Sequence, residues 1–468
     1  MSELLARPLT EIAGLLARRE LSPVELMRTV LARIAATNPT LGAFVALREE
    51  DELVADARRA AERIAAGRGR PLEGIPFGVK DLEDVAGLVT SHGSLPFREN
   101  RAERSSVQVE RLLLAGAIPV GKTNTPEFGY TAITKNLLFG VTRNPWDLER
   151  TPGGSSGGSA AAIAAGVIPL ATASDGGGSI RLPASFTGCF GLKPSYGRVP
   201  HEGGSLWVMD DTSVVGPLTR GVEDAALLLD LTAGAHPLDP NSLPHPGISY
   251  RGTLRDLPAA ARIAFAPDLG YAVVQSDVAR VAAQAARAFE ELGHSVEELP
   301  GGPPELGTEW GIVGAFELLA RLGSLLPERE HELGRAFRRG LEFGRFVTPD
   351  LWGRMRARRE ELNRWCAELF LRYDLLLTPT APFDPPPAKG PLPQVTEGRS
   401  QPVAGAGSFT IPFNLSWHPA ATVRAGFSDA GLPVGLQIVG PRHRDDRVLQ
   451  AAFAFEQARP WHNRWPAT

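Results

Sequence analysis

Two serine-bearing glycine stretches in this chain could do chemistry. In Asp175-Gly-Gly-Gly-Ser-Ile-Arg181, three consecutive glycines free the backbone to turn successive N–H groups into one concavity. Such a nest beside a serine suits acyl transfer, with the hydroxyl attacking and the amides holding the tetrahedral oxyanion. The stretch reads equally as a glycine turn capped by Asp175, with Arg181 as its counter-ion. In Gly153-Gly-Ser-Ser-Gly-Gly-Ser159 the pattern G-x-S-x-G occurs twice, centred on Ser155 and Ser156, as in the nucleophile elbow of α/β-hydrolases. An elbow follows a strand, and residues 144–152 are polar and turn-rich. Gly116-Ala-Ile-Pro-Val-Gly-Lys-Thr123 satisfies the G-x-x-x-x-G-K-[ST] phosphate loop. Its setting argues for a strand and turn instead: a helical pattern precedes it, Ile118-Pro119-Val120 fills it, and Pro126 interrupts any helix after it. Lys80 closes Gly74-Ile-Pro-Phe-Gly-Val-Lys-Asp81, a short apolar strand between glycine turns. Taken alone, it is a lysine at a strand end.

The elements that must position these residues are mixed. The chain has 468 residues, 43% hydrophobic and 22% charged, with a formal net charge of −4. That is ample for a sizeable core. Basic and acidic residues number 49 and 53, which argues against nucleic acid as a partner. Two cysteines, Cys189 and Cys366, cannot make a disulfide framework and read as small core residues. Glycine (50) and proline (40) make nearly a fifth of the chain, against a usual ~12%, so tight turns are expected throughout. The first 66 residues read as helical. A helix begins near Leu9, and Ser22-Pro23-Val24-Glu25 is a capping box opening a second that ends at Asn38-Pro39. A third runs from about Glu50 to Ala66. From residue 72 to about 234, short apolar runs alternate with glycine turns and helical stretches, the pattern of an α/β sheet core. Strands are expected again after Ala261, after Tyr373 and after Pro433. The proline-rich run 382–393 reads as a loop within one domain. No segment has the pattern of a signal peptide or a membrane span, which points to a soluble, cytoplasmic protein.

Lys80, Ser155 and Ser179, each in a glycine-rich setting, resemble the amidase signature family. The likeness is densest over residues 72–234. It includes the stretches 74–81, 116–128, 153–165 and 174–184, Asn144-Pro-Trp-Asp147, Gly191-Leu-Lys-Pro194, and Gly216-Pro-Leu-Thr-Arg220 with Asp224-Ala-Ala. It recurs at Leu377-Thr-Pro-Thr380, Pro412-Phe-Asn414 and Gly431-Leu-Pro-Val-Gly-Leu-Gln437. The resemblance implies one α/β domain over residues 1–468: a mixed central β-sheet covered by α-helices, with a helical segment (1–66), a catalytic core (67–234), and pocket helices with sheet completion (235–468). It implies that Ser179 is the nucleophile, Ser155 a bridging serine after a cis bond from Gly154, and Lys80 the base. Amides of Gly176, Gly177, Gly178 and Ser179 would hold the oxyanion, with Asp175 and Arg181 in support. No metal or organic cofactor is implied. Lys80 could act only as a neutral amine, which burial favours; Asp81 would oppose this unless it faces elsewhere. Where this chain has Gly176, relatives usually carry a side chain, so a looser oxyanion loop and a wider acyl pocket are expected.

The acyl pocket should come from outside these blocks. Candidates are residues 201–211, the stretch around Trp310 and residues 416–418, with Trp207, Trp310 and Trp417 as walls. Three tryptophans favour a bulky uncharged amide, anilide or carbamate as the small-molecule substrate. Ester cleavage is a side activity to expect. The rival reading is the glutaminase component of a glutamyl-tRNA(Gln) amidotransferase, working within a multisubunit complex. Otherwise the chain stands alone, as monomer or homodimer, and the Trp461 to Trp465 tail packs on the body or on a second copy of the chain.

Overall fold

The run Pro76–Lys80 is buried at every position, which requires cover on both faces and suits a central parallel strand. The computed structural model, which describes residues 4–201, 209 and 211–467, places it within one eleven-stranded mixed sheet. In chain order the strands are β1 (Phe44–Leu47), β2 (Pro76–Lys80), β3 (Ile118–Thr123), β4 (Leu170–Asp175), β5 (Phe190–Lys193) and β6 (Val214–Thr219). Then come β7 (Arg262–Phe265), β8 (Ser295–Glu298), β9 (Leu375–Pro379), β10 (Ala420–Phe427) and β11 (Pro433–Val439). Their spatial order is 1-3-2-4-6-5-10-11-9-7-8. Strand β2 lies parallel to both neighbours, with Lys80 opposite Thr123 and Phe77 opposite Leu170. Strands β10 and β11 pair antiparallel and join the two halves of the chain through β5 and β9. The chain is therefore a single domain with helices over the sheet, and the proline-rich run 382–393 is a loop inside it.

The helices follow from their caps and faces. Ser22 accepts a hydrogen bond from the Val24 N–H (3.2 Å) and opens the helix Pro23–Leu41. It buries Leu26, Met27, Val30 and Ile34. The helix does not stop at Asn38-Pro39; Pro39 sits inside its last turn and Gly42 ends it in the left-handed conformation. Pro8, whose ring carries no hydrogen-bonding group, makes no side-chain cap for Leu9–Ala17. Asp224 does so from across the fold, accepting from the Leu9 and Thr10 N–H groups at 2.9 Å.

The first 66 residues are not all helical: Phe44–Leu47 adds an edge strand against β3. Helical periodicity on either side hid four residues whose partner strand, Ile118–Thr123, lies far along the chain. The stretch 116–123 is the strand β3 after the helix Val107–Leu114, and its Lys122 is buried beside Asp81. Nothing there presents a phosphate cradle. At the C-terminal end, Trp461 is buried and its indole N–H donates to the Arg220 carbonyl (2.9 Å). Arg220 and Arg424 stack on Trp465 at 4.0 and 4.3 Å. The tail packs on the body. No helix among the described residues is long and apolar enough to cross a membrane.

Gly121 shows how tightly β1 is seated. A Cβ there would lie 2.1 Å from the Ala46 carbonyl oxygen. Gly121→Ala should therefore lower stability by about 2–4 kcal/mol through strain at a backbone that cannot yield. Gly67→Ala, which meets open space at a positive φ, should cost no more than ~1–2 kcal/mol. Urea unfolding of the two variants side by side checks the difference.

Candidate active site

Lys80 is the last residue of β2 and has no solvent exposure. Its amine lies 2.8 Å from each of three hydroxyls, those of Ser155, Ser156 and Ser174, and 3.4 Å from the Ser174 carbonyl. Strand β4 supplies Ser174, and its Thr172 hydroxyl accepts from the Lys80 N–H (3.0 Å). Ser155 and Ser156 immediately precede the helix Gly157–Ala164. The Gly154–Ser155 peptide bond is cis. Burial pushes the Lys80 ammonium down to about 7, against the upward pull of Glu83 and Asp175. Asp81 does face elsewhere. Its carboxylate accepts from the Ser91 N–H (3.1 Å), the Ser91 hydroxyl (2.5 Å) and the Gly93 N–H (3.3 Å), and it pairs with Lys122 at 3.7 Å.

The loop after β4 carries the second serine. Asp175 and Arg181 are both fully buried and joined bidentately: Arg181 Nε donates to Oδ2 (3.0 Å) and Nη2 to Oδ1 (2.9 Å). Burial opposes the Asp175 charge, but Arg181, joined by Lys193 and Asn414, holds the carboxyl well below its ordinary value. The guanidinium also donates to Gln437 Oε1 (2.7 Å), Asn414 Oδ1 (2.6 Å) and the Thr410 carbonyl (3.0 Å). Asp175 Oδ1 accepts from the Gly178 N–H at 2.7 Å. That amide is committed and cannot serve an oxyanion. The amides of Gly176, Gly177 and Ser179 have no acceptor among the described residues.

The loop is not loose. The Trp310 indole N–H donates to the Gly176 carbonyl and the Thr410 hydroxyl to the Gly177 carbonyl, both at 2.7 Å. Nor does Gly176 open extra space, because a Cβ there would meet the Ser213 hydroxyl at 2.7 Å. Gly177 admits no side chain: a Cβ would lie 2.5 Å from the Trp310 ring.

Ser155, Ser174, Ser179 and Trp310 face a cavity of about 540 Å³. Its walls include Leu82, Phe128, Leu182, Met209 and Ile411, and no Asp, Glu, Lys or Arg lines it among the described residues. His92 lines it too, stacked on Phe128 with ring centroids 5.0 Å apart. Burial, helped by Lys122, pushes that imidazole down to about 3 and keeps it neutral. Of the three tryptophans expected as walls, Trp310 is one. Trp207 lies outside the described residues. Trp417 is not: it is 37% exposed, stacks on Tyr196, and donates to the Asp211 carbonyl. A tryptophan next to a motif is read as pocket wall too easily, since its face suits any apolar neighbour. Sequence reasoning missed Ser156 and Ser174 beside Lys80, and the wall formed by 128–132, 392–394 and 401–407. The signal available was that 128–132 run on directly from the block ending at Phe128. No group of three or more His, Cys, Asp or Glu among the described residues is placed to hold a metal ion.

The amidase family model matches residues 25–449. An acylamidase of Rhodococcus erythropolis is 37% identical over 480 residues, covering 98% of this chain and 96% of that one. A glutamyl-tRNA(Gln) amidotransferase component of Thermus thermophilus is 37% identical over 484 residues, covering 96% of each. Among solved structures, a bacterial aryl acylamidase of the amidase signature enzymes superposes with a TM-score of 0.92 at 30% identity, covering 98% of this chain and 97% of that one.

The Asp175–Arg181 pair carries a stability prediction. Arg181→Met leaves a buried carboxylate unpaired and should cost about 3–5 kcal/mol. Because the pair depresses the Asp175 pKa, its stabilisation is full above the unfolded carboxyl value and is lost as pH falls through the folded one. Urea midpoints of wild type and variant should therefore differ at pH 8 and converge in acid.

Proposed function

The chain belongs to the amidase signature family, hydrolases of C–N amide bonds, and we propose that it cleaves bulky, uncharged amides through an acyl-enzyme on Ser179. Anilides and aryl carbamates belong to the same substrate class. The observation that carries this reading is a buried lysine ringed by hydroxyls, of which those of Ser155 and Ser174 belong to residues lining a cavity whose described walls hold no charged side chain.

A serine hydroxyl attacks a carbonyl only when a base removes its proton. Lys80 is that base. As a neutral amine it has two N–H donors and one lone pair, which matches its three hydroxyl neighbours in number. Ser156 donates its own proton to the Ser174 carbonyl (3.2 Å), so it accepts from Lys80. Ser174 takes the second N–H, and the lone pair is left for the Ser155 proton. Ser155 passes its proton to Lys80 and takes the one from Ser179 as the Ser179 oxygen bonds to the acyl carbon. The tetrahedral oxyanion rests on the amides of Gly177 and Ser179, with Gly176 beside them, at roughly 3–4 kcal/mol per donor. As the C–N bond breaks, the proton returns through Ser155 to the leaving nitrogen. Water then releases the acid by the reverse route.

The likeness to the Thermus amidotransferase component supports a second reading, glutamine hydrolysis within a complex. Glutamine brings an ammonium and a carboxylate, and both need charged or strongly polar partners once desolvated. The described wall has no charged side chain to offer them, which favours the first reading.

Amine release from a panel of primary amides, anilides, aryl carbamates and glutamine tests both. Turnover should be confined to the uncharged members and fall at least ~10³-fold in Ser179→Ala and in Lys80→Ala. Glutamine as the sole substrate would replace this reading by the second. Full activity in Ser179→Ala would remove the nucleophile assignment. With Lys80 required neutral, kcat/KM should climb with pH through a limb near 7.

A further inference from the structure

The ground beneath the cavity holds more charge than an acyl transfer by Lys80, Ser155 and Ser179 needs. Lys80, Asp81, Glu83 and Lys122 are all buried there, each 2% exposed or less. Three of the carboxyl groups near Lys80 are accounted for. Asp81 is held by Ser91, Gly93 and Lys122, Asp175 by Arg181, and Asp84 is half-buried at the margin. Glu83 differs. Its main chain is pinned, the N–H donating to the Lys80 carbonyl (2.9 Å) and its carbonyl accepting from the Lys122 ammonium. Its side chain is wholly buried, and the carboxyl has no ion-pair partner in contact and no close hydrogen bond, the Thr172 hydroxyl being the one polar group that bears on it as a donor.

A carboxyl buried with no counter-ion in contact and only a threonine hydroxyl beside it is a poor way to fill space. Packing alone would be served better by an apolar side chain of the same volume. We propose that Glu83 is a positioning residue for the proton on Lys80: its negative charge holds the lysine protonated and so raises the pH at which hydrolysis begins. The proposal rests on Lys80 being the base.

The electrostatics run the same way. Burial pushes the Glu83 carboxyl up to about 7, opposed by Thr172, Lys80 and Lys122 and reinforced by Asp84. Burial pushes Lys80 down to about 7, opposed first by Glu83 and then by Asp175. The two groups thus lose protons over one range, and each Glu83 that ionises makes Lys80 harder to deprotonate. Such a pair titrates in coupled steps. The neutral amine forms at higher pH, and over a wider span, than it would beside an uncharged neighbour.

Glu83→Gln and Glu83→Met remove the charge while nearly keeping the volume. The acid limb of kcat/KM on the best uncharged amide should move down by about one pH unit in each, raising activity about fivefold one unit below the wild-type midpoint. A purely structural role would lower the rate or the melting temperature and leave the midpoint where it was, and that result overturns the proposal. The wild-type limb supplies a second reading that needs no variant. It should be broader than a lone ionisation, spanning more than about two pH units between a tenth and nine-tenths of full activity. A limb of single-site width overturns the proposal as well. Lys80→Ala keeps the two ideas apart. Retained activity there removes the base assignment itself, whereas an inactive Lys80→Ala with an unmoved Glu83→Gln limb removes only the role of Glu83.

Discussion

Burying an amine without a counter-ion in contact is the constraint around which this molecule is arranged. Lys80 ends a strand that is covered on both faces and flanked by parallel neighbours, so its side chain has no route to water. An ammonium there would cost several kcal/mol; a neutral amine needs only hydrogen bonds. The fold provides three hydroxyls at 2.8 Å and turns two adjacent carboxylates to other partners. Asp81 is drawn off by Lys122 and a serine turn, and Asp175 by Arg181. Each diversion keeps a full negative charge from settling on the lysine.

The Asp175–Arg181 pair shows why the chain is one domain. Arg181 reaches back to the loop that precedes it and forward to Thr410, Asn414 and Gln437, more than two hundred residues on. Trp310 and Thr410 hold the carbonyls of Gly176 and Gly177. The N-terminal half supplies the loop, and the C-terminal half clamps it. With its carbonyls fixed and the Gly178 amide bound to Asp175, the peptide planes that present the remaining amides have little freedom. Preorganised donors of this kind need no rearrangement when charge develops on a bound oxygen.

Much of this was legible in residue types. The α/β character followed from apolar runs between glycine turns, and β2, β3, β9 and β11 fell where apolar runs marked them. The family resemblance pointed to Lys80, Ser155 and Ser179, and the geometry puts Lys80 against Ser155. What escaped were facts of adjacency in space. Ser156 and Ser174 are eighteen residues apart and meet only because β4 lies beside the turn that precedes the Gly157–Ala164 helix. Strand β1 has four residues, too few for periodicity to register between two helices. Trp417 was misread because adjacency to a family block in sequence says nothing about which side of the sheet a ring faces. Gly176 was misread differently: a missing side chain leaves room only if no neighbour moves in, and here Ser213 does.

The separation of charge from the cavity wall has a consequence for chemistry. Beneath the floor lie two lysines and two carboxyls; on the described wall there is none. A molecule in the cavity therefore meets dipoles and apolar surface, with the charges behind them. In such a setting the effective dielectric is low, and an amide N–H aimed at a developing oxyanion acts more strongly than it would in water. The same medium that strengthens those donors is what disfavours an ammonium at Lys80. On the acyl-transfer reading proposed above, burial thus serves both the base and the oxyanion donors. On that reading a residue that brings net charge to the buried floor acts on Lys80 first, the group there whose ionisation the proposed reaction uses.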